Sequence, residues 1–195
     1  MNYPNGIKRL NNKNICYGNR GMILESDLNE SNNFYLINNV AIIHKKPTSI
    51  TIKKVEYPSK CEAIIKEGYF KTPSTTDYNG IYKGKYIDFE AKETKNKSFF
   101  PLNNIHNHQI KHLRLIIEHG GIGFIIVRFS VLDETYYLGG NDLLDFLKNE
   151  DRKSIPISYF KSNGFLIKTK FNPRVDYLEI VNNIYFGGDH NEKHN

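Results

Sequence analysis

Thr75-Thr76-Asp77-Tyr78-Asn79-Gly80 and, after Ile81 to Gly84, Lys85-Tyr86-Ile87-Asp88-Phe89-Glu90-Ala91-Lys92 form the stretch from which the chain is best read. The first six residues have the composition of a turn. The last eight alternate, and on a strand alternate side chains point to opposite faces. Ile87, Phe89 and Ala91 then share a core face, while Tyr86, Asp88, Glu90 and Lys92 share the other. Two carboxylates and an ammonium on one strand face fit two readings. The first is a half-exposed strand whose charges face water. The second is a divalent cation site, in which hard oxygen ligands hold Mg²⁺ and substrate phosphates complete its shell. In that second reading Lys92 stabilises charge developing on a phosphate oxygen.

Outward from this stretch, the 195 residues fit one domain with a core of useful size. Lys and Arg number 27 against 21 Asp and Glu, giving a net charge of +6. That excess permits a nucleic-acid partner without requiring one. Its distribution is more telling: Val40 to Thr75 carries seven lysines and three glutamates, a surplus of four. Cys16 and Cys61, the only cysteines, make no CxxC pair, so neither a zinc site nor a disulfide framework is expected. Both read as free thiols in a reducing compartment. No apolar run is long enough to span a bilayer, and Met1-Asn2-Tyr3-Pro4 opens no signal peptide. The expected location is the cytoplasm, with no membrane partner.

Residues 1–17 lack periodicity and read as a flexible arm, followed by a domain over 18–187 and a disordered tail over 188–195. From Asn19 to about Asn38 the pattern is helical, with Leu24, Leu28 and Tyr35 on one side and Glu25 beside that stripe. Val40 to His44 reads as a buried strand, which Lys45-Lys46-Pro47-Thr48 breaks before another begins at Thr51. Between Tyr57 and Lys71, basic and aromatic residues interleave: Lys60, Lys66, Tyr69, Phe70 and Lys71. Cations that meet phosphates and rings that stack on unpaired bases suit DNA; an ordinary hairpin with hydrated lysines fits equally. A helix is expected from about Asn103 to His119, with Ile105, Gln109, Leu113 and Ile116 on one side. Gln109 is the polar member of that stripe, and a backbone hydrogen bond would satisfy it. His106, His108 and His112 read as surface residues. Gly123 to Phe129 is a strand apolar enough to be buried on both faces, with Asp133 to Leu138 as its neighbour. A short helix over Asp142 to Glu150 is expected to be capped by Asn141 or Asp142. The segment from Arg152 to Lys170 reads as irregular, and Asp176 to Phe186 as packing back on the core.

An acid followed, across a hairpin, by Glu-x-Lys is the arrangement of PD-(D/E)xK nucleases, here Asp77 and Glu90-Ala91-Lys92. The wording around it is more specific. Asn2-Tyr3-Pro4-Asn5-Gly6, Asn19-Arg20-Gly21, His44-Lys45-Lys46-Pro47-Thr48, Tyr69-Phe70-Lys71, Pro73 to Gly80 and Ile87 to Lys95 resemble the RecU-type Holliday junction resolvases. So do Phe99-Phe100-Pro101-Leu102, His108-Gln109, Arg152 to Pro156 and Pro173 to Tyr177, in order over nearly the whole chain.

This resemblance implies an α/β fold: a central mixed sheet flanked by helices, restriction-endonuclease-like, with a protruding basic stalk over about 57–73. It implies a Mg²⁺-dependent, structure-selective endonuclease that resolves Holliday junctions by paired nicks, leaving 5′-phosphate and 3′-hydroxyl ends, in recombination, DNA repair and chromosome segregation. By the resemblance, Asp77, Glu90 and Lys92 are catalytic. Thr75, Asp77, Glu90 and Gln109 hold one or two Mg²⁺, for which Mn²⁺ substitutes. Glu25 supports the metal site, and Lys60, Lys66, Tyr69, Phe70 and Lys71 meet DNA as a set. The implied partners are four-way junction DNA, a second copy of the chain and RecA. Two rival readings are a general PD-(D/E)xK DNA nuclease and a non-cleaving junction-binding protein that modulates RecA.

Overall fold

A computed structural model describes residues 22–60, 62–70 and 75–187 of the chain. The expected arm, both cysteines, Lys71 and the tail lie outside them. The chain order is α1 (Met22–Ile37), β1 (Ile42–Lys45), β2 (Ile50–Ser59), β3 (Glu62–Phe70), β4 (Tyr78–Tyr82) and β5 (Lys85–Thr94). Then come β6 (Phe99–Pro101), a 3-10 turn (Leu102–Asn104), α2 (Asn107–Glu118), β7 (Ile122–Phe129), β8 (Glu134–Gly139) and α3 (Gly140–Asn149). The series closes with β9 (Ser154–Pro156), α4 (Ile157–Asn163), β10 (Phe165–Leu166) and α5 (Tyr177–Tyr185).

Six strands form one sheet in the order β1-β4-β5-β7-β8-β10. β5 and β7 run parallel, and the other pairings are antiparallel, so the sheet is mixed as expected. Every residue of β7 is buried, and alternation divides its side chains between two cores. Phe124 and Ile126 pack with Leu24 and Leu28 of α1, Ile87 and Phe89 of β5, and Tyr177, Leu178 and Val181 of α5. Ile125, Val127 and Phe129 pack on the other side with Leu113 of α2, Leu143 and Phe146 of α3, and Phe160 of α4. Helices therefore cover both faces, which explains why the central strand is apolar without interruption.

One residue breaks that apolar run. Arg128 is buried, and it reaches Asp27 of α1 through Nη1 at 2.7 Å and Thr135 through Nε at 2.9 Å. Arg174 comes to 2.8 Å from the other Asp27 oxygen, so the carboxylate is held between two guanidinium groups. Glycine is required where elements approach too closely for a side chain. A Cβ on Gly80 of β4 would lie 2.0 Å from the Ile42 carbonyl oxygen of β1. One on Gly140 would lie 2.6 Å from the Gly123 carbonyl oxygen, where α3 meets β7.

Several boundaries differ from those expected. α3 begins at Gly140, with Gly139 at its cap and no side chain capping it, so neither Asn141 nor Asp142 is the N-cap. α2 begins at Asn107, because a separate 3-10 turn takes up the residues after Pro101. The segment expected to be irregular holds β9, α4 and β10. β9 and β10 are short, and their partners β6 and β8 are distant in sequence, so no local periodicity marks them.

β2 and β3 form a separate two-stranded sheet whose register is broken by irregularities. All of β3 is exposed, including Ile64, Ile65, Tyr69 and Phe70. This hairpin starts at Ile50, so the stretch expected to project, about 57–73, covers its tip and all of β3, with Tyr69 and Phe70 back at its base opposite Thr51 and Ile50.

Candidate active site

The site arises where β4 ends and β5 continues. The β4–β5 ladder begins with Tyr78 opposite Phe89. From Glu90 to Thr94, β5 is paired with β7 alone among the described residues. Its free edge faces a cleft of about 540 Å³, lined by Glu25, Asp77, Tyr78, Lys92, Glu93 and His106 among others. The turn before β4 thus sets Asp77 beside the unpaired part of β5. The Asp77 backbone N–H donates to Glu90 Oε2 at 3.1 Å, and Lys92 Nζ lies 2.6 Å from Glu90 Oε1. Asp77, Glu90 and Lys92 are brought together as the sequence spacing suggested.

Burial separates the two strand-face carboxylates from an ordinary hydrated face, since Asp88 and Glu90 both have 0 % exposure. Desolvation, reinforced by the charge of Asp77 and opposed by Lys92, pushes the Glu90 carboxyl up to about 8. Burial disfavours the charged form first, and the neighbouring Asp77 charge adds to that effect. Tyr78 responds to the same field: burial first, then the charges of Glu25, Asp77 and Glu90, raise its hydroxyl. Glu25 therefore belongs to the rim of this cleft, where it pairs with Lys45 Nζ at 2.6 Å. Glu93 brings a further carboxylate, with one shielded oxygen that has no hydrogen-bond partner.

Asp88, the other acid on this strand face, is engaged otherwise. It accepts hydrogen bonds from Lys46 Nζ at 2.7 Å, Tyr86 Oη at 3.0 Å and Thr76 Oγ1, and His112 Nε2 lies 3.2 Å away. Its lone pairs are directed at protein groups, which leaves Glu90 as the strand carboxylate that faces Asp77. His112 is accordingly part of this network and not simply a surface histidine.

Gln109 has a local role. Its Oε1 accepts the His106 backbone N–H at 2.9 Å, closing a capping box at the start of α2. The backbone partner that a buried amide needs is thus present. Thr75 stands half-buried in the turn before Asp77. Lys60, Lys66, Tyr69 and Phe70 lie on the separate hairpin, and both Tyr69 and Phe70 are exposed. There Lys66 and Lys54 both approach Glu56, at 3.3 and 3.5 Å, and Lys53 pairs with Glu67 at 2.7 Å. Residues 50–70 hold four lysines against three glutamates, so the hairpin is less basic than the wider segment suggested.

The donors suit a hard divalent cation. Asp77 and Glu90 offer carboxylate oxygens and Thr75 a hydroxyl, and a cation between the two acids would relieve the strain that raises Glu90. Among the described residues, no three His, Cys, Asp or Glu side chains gather closely enough to hold an ion alone. A site with two carboxylates suits an ion that keeps waters and takes up substrate phosphate oxygens, as Mg²⁺ does.

The family described as "RecU: Recombination protein U" matches residues 19–183. The chain is 49% identical over 198 residues to "Holliday junction resolvase RecU" of Bacillus cytotoxicus (strain DSM 22905 / CIP 110041 / 391-98 / NVH 391-98), covering 95% of this chain and 98% of that protein. It is 48% identical, with the same coverage, to the protein of that name in Bacillus cereus (strain G9842). A solved structure of Archaeoglobus fulgidus Hjc, a Holliday junction resolvase, matches with a TM-score of 0.42 and 11% identity over 72% of this chain and 91% of that one.

Proposed function

The chain belongs to the RecU family, and from that premise we propose that it is a Holliday junction resolvase, a Mg²⁺-dependent endonuclease that nicks four-way junction DNA. The observation that carries this reading is the Asp77–Glu90–Lys92 constellation at the free edge of β5, beside an open cleft. Mg²⁺ bound by Asp77 and Glu90, with Thr75 beside them, would polarise the scissile phosphate and lower the pKa of a water. Glu90 accepts the Asp77 N–H and so ties the turn that carries Asp77 to β5. Lys92, with 22% side-chain exposure, carries an ammonium to the cleft and donates to the phosphate oxygen on which charge develops. In this reading Glu25 and Lys45 form a paired rim that orients the entry, and Gln109 acts through the α2 cap, not as a ligand.

A four-way junction has near-twofold symmetry and needs two incisions, which a homodimer with two sites supplies most simply. The β2–β3 hairpin supports that assembly. Two-stranded hairpins are marginal alone in water, and this one exposes Ile50, Ile52, Ile64, Ile65, Tyr69 and Phe70. In this reading Lys60, Lys66, Tyr69, Phe70 and Lys71 meet the junction as a set. Action in the cytoplasm, in recombination and repair beside RecA, belongs to the same proposal.

A cleavage comparison tests it. In Mg²⁺ the protein is expected to nick a synthetic four-way junction and to leave a linear duplex of the same arms largely intact. Equal cutting of both would favour a general nuclease, and tight junction binding without any cutting would favour a binding protein.

A further inference from the structure

Among the described residues no strand pairing holds the turn that carries Thr75 and Asp77, and a half-buried lysine does that work. Lys46 follows directly on β1, and its backbone N–H donates to the Asp77 carbonyl at 2.7 Å. Its side chain, 18% exposed, turns inward. Nζ donates to Thr76 Oγ1 at 2.9 Å and to Asp88 Oδ2 at 2.7 Å, while Thr76 Oγ1 donates to Asp88 Oδ1. One residue thereby ties the end of β1, the turn and β5 together. It also compensates a fully buried carboxylate two residues from Glu90.

We propose that Lys46 is a positioning residue for the ion site, clamping the Thr75–Asp77 turn onto β5 through the Lys46–Thr76–Asp88 triangle. This deepens the nuclease reading, because its consequence for ion binding rests on Asp77 and Glu90 being the ligands. The clamp itself does not. Without the Lys46 side chain, Thr76 loses a donor and Asp88 a counter-charge, and of these ties the turn keeps the Thr76–Asp88 bond, the backbone bond from Lys46 to Asp77 and the bond from Asp77 N–H to Glu90. Lys46 reaches no cleft-lining position, so its effect passes through geometry. A loosened clamp weakens ion affinity more than it lowers the rate once the ion is saturating.

The test uses the full chain with Lys46→Met and with Lys46→Met/Asp88→Asn. The double variant removes the stranded carboxylate that could stop the single variant from folding. Two readouts are taken on folded protein: amide hydrogen exchange at residues 75–78 without metal, and Mn²⁺ affinity by calorimetry without DNA. Exchange at the Asp77 amide is expected to be at least about tenfold faster, with β7 unchanged. Mn²⁺ affinity is expected to fall about tenfold, and excess Mg²⁺ is expected to restore most junction cleavage. Wild-type exchange in the variants overturns the clamp, and faster exchange with undiminished Mn²⁺ affinity overturns its role in positioning the ion site. A wild-type protein that binds no Mn²⁺ contradicts the nuclease reading instead, and the exchange measurement alone then decides the clamp.

Discussion

Glu90→Gln is expected to remove activity and to stabilise the metal-free protein. Glu90 is wholly buried, and its carboxyl is pushed up to about 8 by burial and by Asp77. Between the ordinary value of 4.5 and about 8, the folded state keeps a proton that the unfolded chain has released. Stability of the metal-free protein therefore falls as pH rises through that window. Each pH unit of displacement corresponds to about 1.4 kcal/mol. Counting only one such unit as a lower bound, the neutral amide should gain at least about 1.4 kcal/mol at pH 8. For a domain of this size that is a rise in Tm of roughly 3–6 °C. The Gln amide oxygen can still accept the Asp77 N–H, and Lys92 is exposed enough to be hydrated when its partner goes. Thermal melts followed by circular dichroism, in chelator at pH 5 and pH 8, measure the effect. The gain should appear at pH 8 and vanish at pH 5. A variant destabilised equally at both pH values would refute the argument that Glu90 is a strained buried charge.

Lys92→Ala should lower single-turnover cleavage by about 10²–10³-fold, as for loss of a donor to developing charge. Its Mn²⁺ affinity, read by calorimetry, should stay within about twofold, and an affinity loss as large as that of Asp77→Asn would make Lys92 structural. Asp88→Asn should cost about 3 kcal/mol in denaturant melts, because it leaves the buried Lys46 pairing broken; a melt matching wild type would remove Asp88 from the framework. Replacing Lys60, Lys66 and Lys71 by alanine should reduce the slope of junction affinity against salt by about 2–3. The share of Lys66 should be the smallest of the three if its contact with Glu56 persists on DNA, and equal losses on linear duplex would reduce the hairpin to a generic basic patch.

The sheet and the site were legible to different depths. Alternation in β5 placed Ile87 and Phe89 in the core, and both are fully buried. The apolar run of β7 and the stripe of Leu24, Leu28 and Tyr35 announced the central strand and first helix for the same reason. Alternation could not separate Asp88 from Glu90, which share one face. Lys46 distinguishes them, and it arrives from 42 residues away. Gln109 shows a related limit. Its place in an apolar stripe marked it as buried, but its capping role depends on α2 beginning at Asn107. The Asp27–Arg128–Arg174 grouping left no local trace, because its members come from three distant parts of the chain. Glu93 could have been found as the next acid along β5, although only the loss of β4 beyond Tyr78 opens the cleft it lines.

The account rests on Asp77 and Glu90 sharing an ion while Asp88 holds the framework. Single-turnover cleavage of a four-way junction at saturating Mg²⁺, with Asp77→Asn and Asp88→Asn side by side and junction binding measured in parallel, tests this most directly. Asp77→Asn is expected to bind the junction near normally and to cut it at background rate, whereas folded Asp88→Asn keeps most of its rate. Cleavage abolished by Asp88→Asn and retained by Asp77→Asn would contradict the account.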